Sequence, residues 1–432
     1  MAAEHSVNPE RWLAGLDEIL GKVGARVGRI EPRKRLRQFV IAMMAGLPRV
    51  NCWTVAQHAG ENSPRGMQRF LSEAVWDHDG LLTDVQDWVL SQLGELDAIL
   101  VIDETGDVKK GSCTVGVQRQ YTGTAGRIEN SQVAVYLTYT SNAGHTLMDR
   151  ALYVPKSWTG DDARRTRAGV PAEVTFATKP ALAGQMIAKA YAAGVPAAWV
   201  AGDEVYGADS KLRRDLIALG LGYVLAVAKD HPIITDIGTR KAIDLAVRLP
   251  ARAWHWMSAG HGSKGERWYD WALVETTDPT AGQGGHHWLL IRRNRKTGEH
   301  AFYRAYSPAL VSLAALVRVA GRRWSVEESF AGSKELAALD EHQVRTRTSW
   351  HRWTALAILA HAFLSVMTAN EPPPPPDSGL IPLTRNEIRH LLAEILKPRH
   401  HPGHILHWST WRRLHQAVAR ACHYKRQAAN EK

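Results

Sequence analysis

Apolar positions recur at helical spacing through residues 1–95. Leu13, Leu16, Ile19 and Leu20 form one stripe, and Phe39, Ile41, Met44 and Leu47 a looser one. NCWTVAQHAG is a short helix opened by Asn51. After a tight GENS turn, Ser63 suits an N-cap and Pro64 the first position of the next helix, SPRGMQRFLSEAVW. Helix, glycine-containing turn, helix is the helix-turn-helix pattern, with Arg65, Gln68 and Arg69 near the start of its second helix, where base and phosphate contacts are made. A helical bundle with a basic exposed face fits the same residues.

The period changes from residue 96. AILVID reads as a buried strand, and TVGVQRQYTG, QVAVYLTYT and HTLMDRALYVP as a β-meander. A helix (ALAGQMIAKAYAAG), a strand (AAWVAGD), a helix (ADSKLRRDLIALG) and a strand (GYVLAVAK) follow. That order suits an α/β fold with a ribonuclease-H-like sheet, although periodicity alone leaves the topology open. Residues 230–311 break the rhythm with the strands RWYDWALVETT, HHWLLIRRN and EHAFYRAYS, a β-rich insertion. Helix returns over 312–370. A proline run, 371–377, reads as a stiff extended linker, and 378–432 as a basic helical tail. The expected organisation is therefore a helical DNA-binding domain (1–95), a catalytic core in two parts (96–229 and 312–370), the insertion, the linker and the tail.

A formal net charge of +11 favours a polyanionic partner, nucleic acid or an anionic membrane surface. No uninterrupted apolar stretch spans a bilayer, and MAAEHSVNPERW lacks a signal-peptide core, so a cytoplasmic protein is expected. Cys52, Cys113 and Cys422 are far apart, which fits a reducing compartment and argues against a disulfide scaffold or a cysteine zinc cluster.

Three carboxylates carry the candidate chemistry. Asp103 and Asp203 end apolar runs, and Glu327 lies in the helical segment RRWSVEESFAGSK. Acids at the ends of buried strands are costly unless something positive meets them. Two Mg²⁺ or Mn²⁺ ions, about 3.5–4 Å apart, would do so and would suit phosphoryl transfer. Strand-Asp, strand-Asp, helix-Glu thus suggests a nuclease or a DNA strand-transfer enzyme. Glu104, Glu204 and Glu328 adjoin the three, and alternation lets only one of each strand pair face a shared site. Arg323, Glu327 and Lys334 share a helix face, either as metal and phosphate ligands or as a solvated face with ion pairs. Arg345 and Arg347 follow that helix, where they are expected to reach DNA phosphate.

VIDETGDVKKG with VGVQRQYTG, then AGDEVYG, RRWSVEESFAGSK and LDEHQVR, together and in this order, resemble the DDE transposases of bacterial insertion sequences. The closest resemblance is to the insertion sequence 701 family, related to the group-four transposases. It implies a ribonuclease-H-like core, divalent-metal-dependent cleavage and strand transfer, and a homodimer on double-stranded DNA, pairing terminal inverted repeats and attacking target DNA in a bacterial, nucleoid-associated setting. Asp103, Asp203 and Glu327 match the catalytic triad, and Arg323 and Lys334 match two phosphate-binding positions. A tyrosine of the related signature is replaced by Ala320. Rival readings are a domesticated, non-cutting DNA-binding protein and a non-transposing nuclease.

Lesser candidates are Tyr206 on the DNA path, and Trp268, Tyr269 and Trp271 as a base-stacking cluster. Lys109 and Lys110 read as a basic turn. His390, His400, His401, His404 and His407 are open to metal or phosphate. Arg399, Arg412, Arg413, Arg420, Lys425 and Arg426 are phosphate contacts from the tail.

Overall fold

The computed structural model describes residues 7–236, 238–262, 265–278 and 284–430. The first six residues of the segment read as free of a signal-peptide core lie outside that range. Five helices open the chain: α1 (Pro9–Gly24), α2 (Ile30–Met44), α3 (Cys52–His58), α4 (Arg65–Ser72) and α5 (His78–Leu93). Asn51 caps α3 as expected, in a reciprocal pair with Thr54. Pro64 occupies the cap position of α4 and donates no side-chain cap, so that helix starts one residue later than the sequence suggested.

The meander is β1 (Ile99–Val108), β2 (Gln118–Thr122), β3 (Arg127–Thr140) and β4 (His145–Leu152). Two short helices follow, α6 (Lys156–Thr159) and α7 (Asp162–Ala168), and then α8 (Lys179–Ala192), β5 (Trp199–Gly202), α9 (Glu204–Gly207), α10 (Ser210–Ala218) and β6 (Gly222–Val227). A small hairpin, β7 (Pro232–Thr235) and β8 (Gly238–Lys241), precedes α11 (Ala242–Val247). The remaining strands are β9 (His255–Gly262), β10 (Gly265–Glu275), β11 (His286–Arg293) and β12 (His300–Ser307). The closing helices are α12 (Leu313–Arg322), α13 (Trp324–Ala337), α14 (Arg347–Ala369), α15 (Arg385–Ile395) and α16 (Pro402–Asn430).

One mixed sheet organises the α/β fold, in the order β2-β3-β1-β5-β6-β12-β11-β10-β9, with β4 also paired to β3. β1 runs antiparallel to β3 and parallel to β5, and β5 runs parallel to β6. The strands of 230–311 do not stand apart. β12 pairs with β6 from Phe302↔Val227 to Tyr306↔Tyr223 and so continues the sheet through β11 and β10 to β9. β9 was not legible: HWMSAGHG mixes polar, aromatic and small residues without alternation, and its pairing with β10 makes it a strand.

α14 is the core helix. By length and mean hydropathy it is apolar enough to cross a membrane, although Arg352 and His361 interrupt it, and its residues from Ser349 to Met367 are buried inside the protein. It packs on α2, α4, α5, α13, α15 and β4. Its fully buried imidazole, His361, shares a hydrogen bond with Thr146 at 3.0 Å and meets Arg385 at 3.2 Å. Such polar partners are what burial of a ring nitrogen demands.

Candidate active site

Register brings the two aspartates together. Ile102 of β1 pairs with Gly202 of β5, so the next residues, Asp103 and Asp203, leave the ends of adjacent parallel strands side by side. Each is held by backbone. Asp103 Oδ1 accepts the Glu104 N–H at 2.7 Å, and Asp203 caps α9 by accepting the Val205 N–H at 2.9 Å. Burial pushes Asp103 up to about 7, and the charges of Asp203 and Glu104 add to the shift. Asp203 is raised too, by burial first and then by Glu104.

Alternation along β1 sorts the neighbours by sheet face. Asp103 meets Arg323 at 3.7 Å. Thr105, two residues on, accepts from Lys334 Nζ at 2.8 Å, with Thr124 at 3.5 Å. Lys334 comes from α13 and Arg323 from the cap residue just before it. Glu104 projects the other way. It takes Lys179 from α8 on one oxygen and the Tyr206 hydroxyl on the other, the latter at 2.7 Å.

Glu327 lies one turn after Arg323, which separates α12 from α13 while keeping helical dihedrals. The Arg323 guanidinium donates to Glu327 at 2.9 Å and also faces Asp103, so it stands between the two acids. Among the described residues no group of three acidic, histidine or cysteine side chains is arranged to hold a metal. The donor chemistry of Asp103 and Asp203 nevertheless fits a divalent cation: two neighbouring, half-buried carboxylates that repel each other are relieved by a shared positive ion. Glu328 points elsewhere, to His145 at 3.2 Å, which holds its carboxyl below the ordinary range.

Several expected contacts fall differently. Tyr206 is fully buried, so it supports Glu104 and cannot line a DNA path. Lys109 is not a solvated turn. It meets Asp107 at 3.8 Å and the His342 carbonyl at 3.3 Å, while His342 itself bonds Asp107 at 2.9 Å. Burial is the largest influence and raises the Asp107 carboxyl, but the His342 bond and the charges of His342, Lys109 and Lys334 together outweigh it and hold it low. LDEHQVR thereby ties the end of α13 to the end of β1. Arg345 is exposed, with its carbonyl accepting Val115 N–H. Arg65, Gln68 and Arg69 are exposed on α4, Arg69 pairing with Glu73 at 2.8 Å.

The tail reaches that same pair of helices. Trp408 is fully buried and donates to the Glu61 carbonyl at 2.9 Å, His404 and His407 bond the carbonyls of Gln57 and Asn62, and Trp53 packs on Trp411. Arg412 donates to Gln57 at 2.7 Å, so it docks the helix where a phosphate contact was expected. Arg413 is exposed. In the Trp268, Tyr269 and Trp271 cluster, Trp271 is buried. The exposed partner of Trp268 is Trp256, stacked at 5.8 Å, with Arg295 over Trp256 at 3.9 Å. Lys179, Glu104 and Trp256 were missed because long-range pairing alone brings them to these places.

The model of one family, the DDE superfamily endonucleases, matches residues 23–236, a span that includes Asp103 and Asp203 and ends before Glu327. Over that span the chain is similar to the DDE superfamily endonucleases. Over 193 residues it is 32% identical to the probable transposase for insertion sequence element IS701 of Microchaete diplosiphon, covering 44% of this chain. The match spans about half of that relative, 48% of its length. Among solved structures, the chain is similar to the piggyBac transposase synaptic complex with hairpin DNA, at 9% identity and a TM-score of 0.46, over 89% of this chain and 80% of the other.

Proposed function

We propose that this protein is a DNA transposase that cuts the ends of its own element and joins them to target DNA. The observation that carries the reading is the half-buried pair Asp103 and Asp203 at the ends of neighbouring parallel strands, with Asp103 raised to about 7 by desolvation and by its partner's charge. The order β4-β3-β1-β5-β6, the first three antiparallel and the last two parallel to β1, supports a ribonuclease-H-like core. The superfamily match over both aspartates supports metal-dependent cleavage.

In this reading Asp103 and Asp203 hold Mg²⁺ or Mn²⁺, and Glu327 joins them once it leaves Arg323. Bound divalent ions activate the attacking oxygen and stabilise the leaving one. The protein's own residues orient the substrate. Arg323, released from Glu327, and Lys334, held by Thr105, meet backbone phosphates. Helices of 1–95 and the basic tail of 378–432 grip the duplex, with 371–377 linking the tail to the core. Two chains acting on two ends form a dimer on the DNA.

The test is cleavage and joining of a duplex carrying the element's terminal repeats by purified protein with Mg²⁺. Strand-transfer products distinguish a transposase from a plain nuclease or a non-cutting regulator. Asp203→Asn and Glu327→Gln should each lower cutting by about three orders of magnitude, since a lost ligand removes several kcal/mol of charge stabilisation. DNA binding should survive. Full cutting by Asp203→Asn would remove the proposed site.

A further inference from the structure

We propose that Lys179 is a substrate-contacting residue that grips a DNA backbone phosphate from the face of the sheet opposite Arg323 and Lys334. The inference rests on the transposase reading above. Three successive residues of β1, Asp103, Glu104 and Thr105, each meet a different cation: Arg323, Lys179 and Lys334. The first and third come from the α13 side. The second comes from α8, which reaches the strand from the other side because Glu104 points the opposite way.

The position of Lys179 is not explained by its helix. It is the first residue of α8, where a cation opposes the helix dipole. Thr178 already caps that helix by accepting the Ala181 N–H at 3.2 Å. What holds the lysine is Glu104, and Glu104 is in turn fixed by the buried Tyr206 hydroxyl. A carboxylate fixed on both oxygens in this way aims the cation that it holds. An ammonium has three N–H donors, and Glu104 is the single acceptor of Lys179 among the described contacts. The lysine side chain remains 24% exposed, so its other donors have access to an incoming oxygen. A phosphate lying over Asp103 and Asp203 would then be flanked by Lys334 on one side and Lys179 on the other. Two fixed cations on opposite faces leave one strand path across the carboxylates.

The experiment measures the affinity of the full-length protein for a duplex carrying the terminal repeat, in Ca²⁺, as a function of salt. Each phosphate contact contributes roughly 0.9 to the slope of log affinity against log salt. Lys179→Met, which keeps the aliphatic stem, should flatten the slope by about one such contact. Between about 50 and about 200 mM salt the mutant should therefore lose roughly 3.5-fold less affinity than the wild type. Lys179→Arg should restore the slope. Glu104→Gln should keep the full slope, because its lysine is still present. If Lys179 serves only as the partner of Glu104, Lys179→Met and Glu104→Gln will both show the wild-type slope, and that result overturns the proposal. A wild-type protein without salt-dependent DNA binding overturns the transposase reading itself, and this inference with it.

Discussion

Asp103 has an acidity set by its surroundings, and that gives its substitution a pH signature. An aspartate in an unfolded chain titrates near pH 4, whereas burial and then Asp203 raise Asp103 to about 7 in the folded protein. Between those values the native state keeps a proton that the unfolded state has released. Stability without metal therefore falls as pH rises through this window and levels off above it. Asp103→Asn should be more stable than the wild type at pH 8 in EDTA, by a few kcal/mol at about 1.4 kcal/mol per unit. The gain should vanish near pH 4. Urea melts at the two pH values check this. Adding Mn²⁺ at pH 8 should reverse the order, since an ion that binds only the folded wild type stabilises only that protein. At this scale the aspartates were legible because an apolar run ending in Asp marks a buried strand end. The link between Lys179 and Glu104 was not, since the residues lie 75 positions apart and only the path of α8 joins them. The burial of Tyr206 was hidden for a similar reason: its place follows from α9 turning back under β6.

At the scale of elements, α16 divides into a docked start and a projecting arm. Trp408 is fully buried against the α3–α4 turn, whereas Leu414, Val418 and Tyr424 are more than half exposed, with Arg413 and Arg420 also open to solvent. Cutting the chain after Asp377 would strip Ile388, Leu392 and Trp408 from the core and confuse unfolding with lost DNA contact. Ending it after Arg412 is the cleaner test. That protein should melt within a degree or two of the wild type, yet bind DNA with a flatter salt slope, by roughly 0.9 per lost phosphate. An unchanged slope would show that the arm does not touch the duplex. Trp408→Ala should cost about 3–5 kcal/mol, as loss of a buried tryptophan does, and should speed amide exchange through residues 402–412. The helical character of this tail was plain in its sequence. Its docking was not, because histidines and tryptophans spaced for carbonyl acceptors look the same as a solvated basic face.

For the whole molecule, most element types follow from period and turn residues, whereas their neighbours do not. EHAFYRAYS declares itself a strand, but nothing in it says that its edge belongs to GYVLAVAK. That one pairing turns an apparent insertion into a continuation of the main sheet. Its consequence is metrical. From β1 to β9 the order crosses six strand spacings, about 29 Å along the sheet at roughly 4.8 Å each. Hydrogen bonds between every pair of strands make that span a fixed gauge. A duplex engaged at the carboxylates and at the Trp256–Trp268 stack would be measured off at about eight base pairs, at roughly 3.4 Å per step. Deleting base pairs inside that interval of the terminal repeat should move the outer footprint relative to the DNA sequence and leave the cut at the same phosphate, because the gauge belongs to the protein and counts from its acids.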